Sequence, residues 1–201
     1  MTPTLHLVGD EQVDALLSRE PFALLTGMLL DQQVPMEVAF AGPAKLLERL
    51  GTVDPGAIAA MDPEAFVTAF SERPAVHRFP RSMAERVQAL AAAVVATYGG
   101  RTEAIWTEGD PDGAEVLRRL KRLPGFGEQK AKIFLALLGK QLGVQAPGWR
   151  EAAGDYGVEG SRRSIADVVD ARSLAEVRAV KKELKAQARA ARPARTKPTG
   201  A

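Results

Sequence analysis

Apolar residues recur at helical spacing through most of the chain, and strict alternation is confined to the short run Thr4 to Val8, Thr-Leu-His-Leu-Val. The pattern predicts an all-α fold. Helices are expected over Glu11 to Ser18, Pro21 to Val34, Met36 to Leu50, Pro63 to Phe70, Pro80 to Tyr98, Pro111 to Arg122, Glu128 to Leu142, and Ser173 to about Ala190. Asp62-Pro63 and Asp110-Pro111 each set a capping side chain ahead of a proline at the first helical position. Gly51, Gly99-Gly100 and the stretch from Gly139 to Gly143 fall near helix ends. Val144 to Ser164 is glycine-rich and poorly periodic, which predicts a long irregular connection, and such connections are often functional. No repeat of fixed period is present.

The turn Leu123-Pro124-Gly125-Phe126-Gly127, between a basic helix and the helix that opens at Glu128, carries more chemistry than a connector needs. Gly125 and Gly127 clear side chains from the backbone and permit positive φ, so amides there can approach a phosphate closely. Pro124 fixes the entry, and Leu123 and Phe126 are placed to anchor the turn from below. The unpaired amides and positive dipole end of the following helix point to the same place, with Gln129, Lys130 and Lys132 beside it. A Leu-Pro-Gly turn alone requires no ligand; the two glycines and the immediate helix favour one.

Composition narrows the classes. The 201 residues are 46% hydrophobic and 26% charged, which is a globular balance able to bury a sizeable core. Absence of cysteine excludes disulfides, cysteine-ligated zinc and an iron–sulfur cluster, so no cofactor is expected. No apolar run approaches a bilayer span and the start lacks a signal-peptide pattern, which makes a cytoplasmic, nucleoid-associated monomer with no membrane partner the expectation. The net charge of +2 is unevenly spread: from Arg178 onward eight Lys and Arg face the single acid Glu183. A basic arm suits a polyanion through counterion release, and from about Ala191 its Pro, Arg, Lys and Thr content predicts disorder.

The segment Leu123 to Gly139, LPGFGEQKAKIFLALLG, resembles the hairpin of the helix-hairpin-helix (HhH-GPD) base-excision DNA glycosylase superfamily. Leu24 to Val34, LLTGMLLDQQV, resembles that family's early helix, whose glutamine enters the duplex at the lesion. His77 to Val95 resembles its Gly-Phe-Tyr segment and following apolar helix. The resemblance implies two helical lobes with a cleft between them: residues 21–138 as one, 1–20 with 139–190 as the other, and 191–201 as a basic tail. It implies duplex DNA with a damaged or mismatched base as partner. Gln33 becomes the wedge that fills the hole left by an extruded nucleotide, since its amide both donates and accepts. It further implies a monovalent cation held by hairpin backbone carbonyls, with no side-chain metal site.

The sequence departs from the family at two points. The family's catalytic aspartate, counted on from Gly127, falls at about Pro147 to Trp149, and no Asp or Glu occurs between Gln129 and Arg150. A carboxylate near the sugar would steady the positive charge that develops there, so Glu151, Asp155 and Asp31 are the substitutes to consider. The lysine that forms a Schiff base in bifunctional relatives is Gln129 here, with Lys130 rotated by about 100° along the helix. A monofunctional glycosylase follows, or a non-catalytic binder of damaged DNA that keeps the fold. Trp149 and Tyr156, with Phe79 and Trp106 further off, are the aromatic candidates for stacking on a flipped base. Trp149 serves equally well as a core plug.

Overall fold

The computed structural model describes residues 5–190, so the basic tail at 191–201 lies outside the described residues. Among these the chain is all-α, with eleven helices: α1 (Glu11–Arg19), α2 (Pro21–Leu30), α3 (Met36–Leu50), α4 (Pro55–Ala60), α5 (Pro63–Ser71), α6 (Pro80–Tyr98), α7 (Ala104–Thr107), α8 (Gly113–Lys121), α9 (Glu128–Gln141), α10 (Trp149–Ala153) and α11 (Ala171–Ala190). Short 3-10 turns at Gly154–Tyr156 and Ile165–Asp167 complete the described elements. The pattern of apolar positions did not show α4, α7 or α10, each of six residues or fewer and so too short to display a helical period.

Local chemistry sets the helix starts. Asp10, Asp54, Asp62 and Asp112 each accept a backbone amide in the first turn that follows, at 2.8–3.1 Å. The fourth of these corrects an expectation: α8 starts at Gly113 under Asp112, whereas Asp110 stands outside the helix at φ 47°. Gly51 and Gly99 end α3 and α6 in the left-handed conformation. Among the described residues the alternating start pairs with no strand. Leu5 and Leu7 are fully buried, and the amides of Leu7, Val8 and Gly9 donate to the buried Asp14 carboxylate at 2.9–3.1 Å.

α2 is the centre of the molecule. Nine of its ten residues are buried, as expected of a helix apolar all round. It crosses α3 so closely that a Cβ at Gly27 would lie 2.6 Å from Phe40 Cδ1, and one at Gly42 would lie 2.6 Å from Leu30 Cδ1. α4 and α5 pack on α6, and α8, α9 and α10 pack on one another. One continuous apolar core runs from Leu5 to Val177. Its fully buried Phe40, Phe66, Phe70 and Phe134 each contribute about 1.5–3 kcal/mol by leaving water.

Candidate nucleic-acid interface

The hairpin joins α8 to α9. Leu123 and Phe126 are buried, Phe126 stands edge-on to Phe134 at 6.0 Å, and its amide donates to Leu123 O at 3.1 Å. The anchoring expected of these two residues is thus present. The two glycines differ in kind. Gly125 has φ 80°, and a Cβ there would meet Leu29 Cδ1 at 2.2 Å, so the fold itself requires glycine. Gly127 has φ −75°, and a Cβ there would meet nothing within 4 Å. The positive φ that both glycines permit is adopted at Gly125 alone, and the bareness of Gly127 answers no demand of the protein's own packing. It caps α9 without a side chain, and among the described residues the amides of Gly127, Glu128, Gln129 and Lys130 have no acceptor. Four unpaired donors and the positive end of a 14-residue helix gather at Gly127, beside which a Cβ would find open space.

The surrounding charge is more balanced than the sequence implies. Glu128 in the first turn of α9 takes Lys132 at 2.8 Å and Lys121 at 3.4 Å, and its carboxyl is held below the usual range, first by the Lys132 hydrogen bond. Lys130 is turned inward. Its Nζ donates to Met28 O at 2.7 Å and Leu29 O at 2.6 Å, and burial pulls its pKa down to about 8. Its assignment as a charge presented to DNA is corrected for that reason: both carbonyls belong to the last turn of α2.

That turn leads into Asp31-Gln32-Gln33-Val34, which is not helical as expected but a tight reversal after Leu30. The adjacent glutamines are unlike each other. Gln32 Nε2 donates to Leu29 O at 2.8 Å, its Oε1 accepts from Arg86 at 3.1 Å, and its carbonyl lies 3.0 Å from His77 Nε2. His77 is buried and accepts the Phe79 amide on Nδ1 at 3.1 Å, which fixes the Nε2–H tautomer. Burial holds the imidazole below its ordinary pKa. Gln33 sits at φ 59°, exposed, its amide without a partner among the described residues. A non-glycine residue in this conformation costs about 1–2 kcal/mol. Composition and spacing singled out neither Gln32, His77 nor Arg86 as parts of the site; the resemblance of the segment His77 to Val95 to the family was the one trace of it.

The other candidates are dispersed. Trp149 is 5% exposed, with Gly139 so close that a Cβ there would lie 2.5 Å from the indole, and with Arg150 stacked at 4.5 Å from the ring centroid. Its reading as a base-stacking residue is corrected, since both faces are covered. Trp106 is likewise buried, against Phe134. Tyr156 is half-buried and accepts a hydrogen bond from Gln129 Nε2 at 2.9 Å, which sets it beside the start of α9. Phe79 is 41% exposed with Arg78 over its ring. Of the carboxylates, Glu151 is exposed, and Asp155 is 75% exposed and paired with Arg163 at 2.8 Å. Asp31 is only 19% exposed, adjoins the Gln32-Gln33 pair and has Lys181 of α11 at 3.8 Å. Among the described residues no cluster of three or more His, Cys, Asp or Glu side chains is arranged to hold a metal ion.

The structure therefore brings the hairpin, Lys130, Asp31 and Gln33 together through α2 and leaves Glu151 and Trp149 apart from them. No helix of the described residues is long and apolar enough to cross a membrane. Among known proteins, no curated protein and no solved structure matches the chain. A family model described as HhH-GPD superfamily base excision DNA repair protein matches residues 26–197, a span that takes in the second half of α2, the reversal at Gln33 and the hairpin. The chain belongs to the HhH-GPD superfamily of base excision DNA repair proteins.

Proposed function

We propose that the chain is a monofunctional DNA glycosylase that grips a duplex backbone at the hairpin, inserts Gln33 where a damaged base has been extruded, and hydrolyses the N-glycosidic bond. The observation that carries this reading is Gln33 itself. An exposed side chain with a free amide stands on a strained backbone next to Gln32, which is held through both its side chain and its carbonyl, and backbone strain of this kind concentrates at functional sites. Gly127 supports it: bare backbone and unpaired amides suit the oxygens of a phosphate. On this reading residues 21–138 form one lobe, 1–20 with 139–190 the other, and the base enters between them.

Asp31 is the preferred carboxylate because it is the most enclosed of the three and adjoins the wedge. Strand cleavage by Schiff base is not expected, since Gln129 takes the lysine's place and Lys130 is engaged with α2. One observation favours a second reading. The family's aspartate position falls at Pro147 to Trp149, where the Trp149 indole fills the space against Gly139, which fits a binder of distorted DNA without catalysis. Base release from duplexes carrying uracil, hypoxanthine, alkylated or oxidised bases separates the two. Release that is lost in Asp31→Asn and kept in Asp155→Asn and Glu151→Gln establishes the enzyme. No release from any duplex, with retained lesion binding, establishes the binder.

A further inference from the structure

Lys130 turns its ammonium into the protein, and its partners explain its use. Met28 O and Leu29 O are carbonyls of the last turn of α2, which the helix itself leaves unpaired. Leu29 O is shared with Gln32 Nε2, whereas Met28 O has only Lys130 among the described residues. An ammonium at a helix C-terminus is favoured by the dipole, and this one spans 101 positions of sequence to reach it. A second contact lies alongside, where the bare Cα of Gly125 abuts Leu29. The first turn of α9 and the loop before it are thus fastened to the turn of α2 from which Asp31 to Val34 depart.

We propose that Lys130 is a positioning residue that couples the hairpin to the wedge, so that a hairpin seated on the DNA backbone holds Gln33 at the angle needed to enter a gap in the stack. This rests on the reading of Gln33 as the wedge. Without the ammonium, the end of α2 loses its polar tie to α9 and keeps apolar packing such as the Gly125–Leu29 contact, so the turn can tilt independently of the grip. A stabilising role alone does not account for the residue, because taking an ammonium out of water opposes folding, as its lowered pKa records. The charged or titratable groups that face it are Asp31 at the end of α2, Arg86 of α6, His77 of the preceding loop and, beyond Asp31, Lys181 of α11.

The test compares affinity for a duplex carrying a tetrahydrofuran abasic analogue, a gap independent of lesion chemistry, with affinity for the same duplex undamaged. The ratio is the gap preference. Lys130→Met should lower it by about tenfold, as should Gln33→Ala, and the double variant should lose no more than either single one, the mark of two residues acting as a unit. Additive losses overturn the coupling, as does an unchanged preference in Lys130→Met. Should Gln33→Ala itself keep the preference, the wedge reading fails first; a loss in Gln33→Ala with none in Lys130→Met sinks only the coupling. Should Lys130→Met fold poorly, the unaltered protein answers instead. Its gap preference should decline as pH rises through about 8 and Lys130 loses its proton, and a flat preference to pH well above that overturns the proposal.

Discussion

His77 Nε2 lies 3.0 Å from the main-chain oxygen of Gln32, which makes a buried imidazole the strut beneath the exposed reversal at Gln33. Its other nitrogen accepts the Phe79 amide, so the neutral ring satisfies both partners and a second proton on Nδ1 would face a donor.

That arrangement makes a pH prediction. The folded-state pKa of His77 is held below the ordinary 6.5, so the unfolded chain takes up the proton first. The contribution of His77 is complete above pH 6.5 and is lost as pH falls through the lowered value. Denaturant unfolding of the unaltered protein should show stability falling from pH 6.5 downward, and His77→Phe should flatten that part of the curve. His77→Phe should also cost about 1–3 kcal/mol at neutral pH through the unpaired Gln32 carbonyl and Phe79 amide.

The hairpin glycines should part company. Gly125→Ala forces a side chain into a left-handed residue and against Leu29, and should lower stability by about 2 kcal/mol or more. Gly127→Val meets open space at an ordinary φ and should lower stability by no more than the roughly 1 kcal/mol of a poorer N-cap. It should instead weaken duplex binding by about tenfold, through charge-assisted bonds to phosphate that no longer form. Melting curves with binding isotherms over a salt series read both; strong binding by Gly127→Val would remove the phosphate assignment.

Gln33→Gly should make the protein more stable and less useful. Relief of the left-handed strain should add about 1 kcal/mol, while the gap preference disappears. A loss of stability in this variant would show that the residue serves the fold and not a ligand.

Away from the DNA face, Asp167 offers a control. Its carboxylate is 2% exposed, pairs with Lys140 at 2.6 Å and accepts the amides of Arg163 and Ser164. Asp167→Ala leaves a nearly buried ammonium without its partner and should cost about 3–5 kcal/mol. Its effect on duplex binding should follow the fraction folded and nothing else.

Caps and turns made most of the helices legible: an aspartate ahead of a proline at Asp62 and a left-handed glycine at Gly51 state their boundaries in single residues. The end of α2 was hidden because Asp31 and Gln32 are compatible with a continuing helix and the only local stop, Pro35, acts as late as Val34. What accompanies the earlier stop at Leu30 is distant in sequence: Lys130 and His77 capture carbonyls of residues 28, 29 and 32. The same limit applies at the site. The hairpin could be read from its glycines, but nothing local distinguishes Gln33 from Gln32, or an inward Lys130 from an outward Lys132. Trp149 was open to two readings until Gly139 and Arg150 were seen to close on its ring.

Encased on every side, α2 has no slack with which to recoil when its tip meets a stacked duplex. On the proposed reading the protein is a stiff probe, and the yielding must be done by the DNA. Selectivity then begins before any base is inspected, with steps that unstack easily admitting the tip and sound helix turning it away.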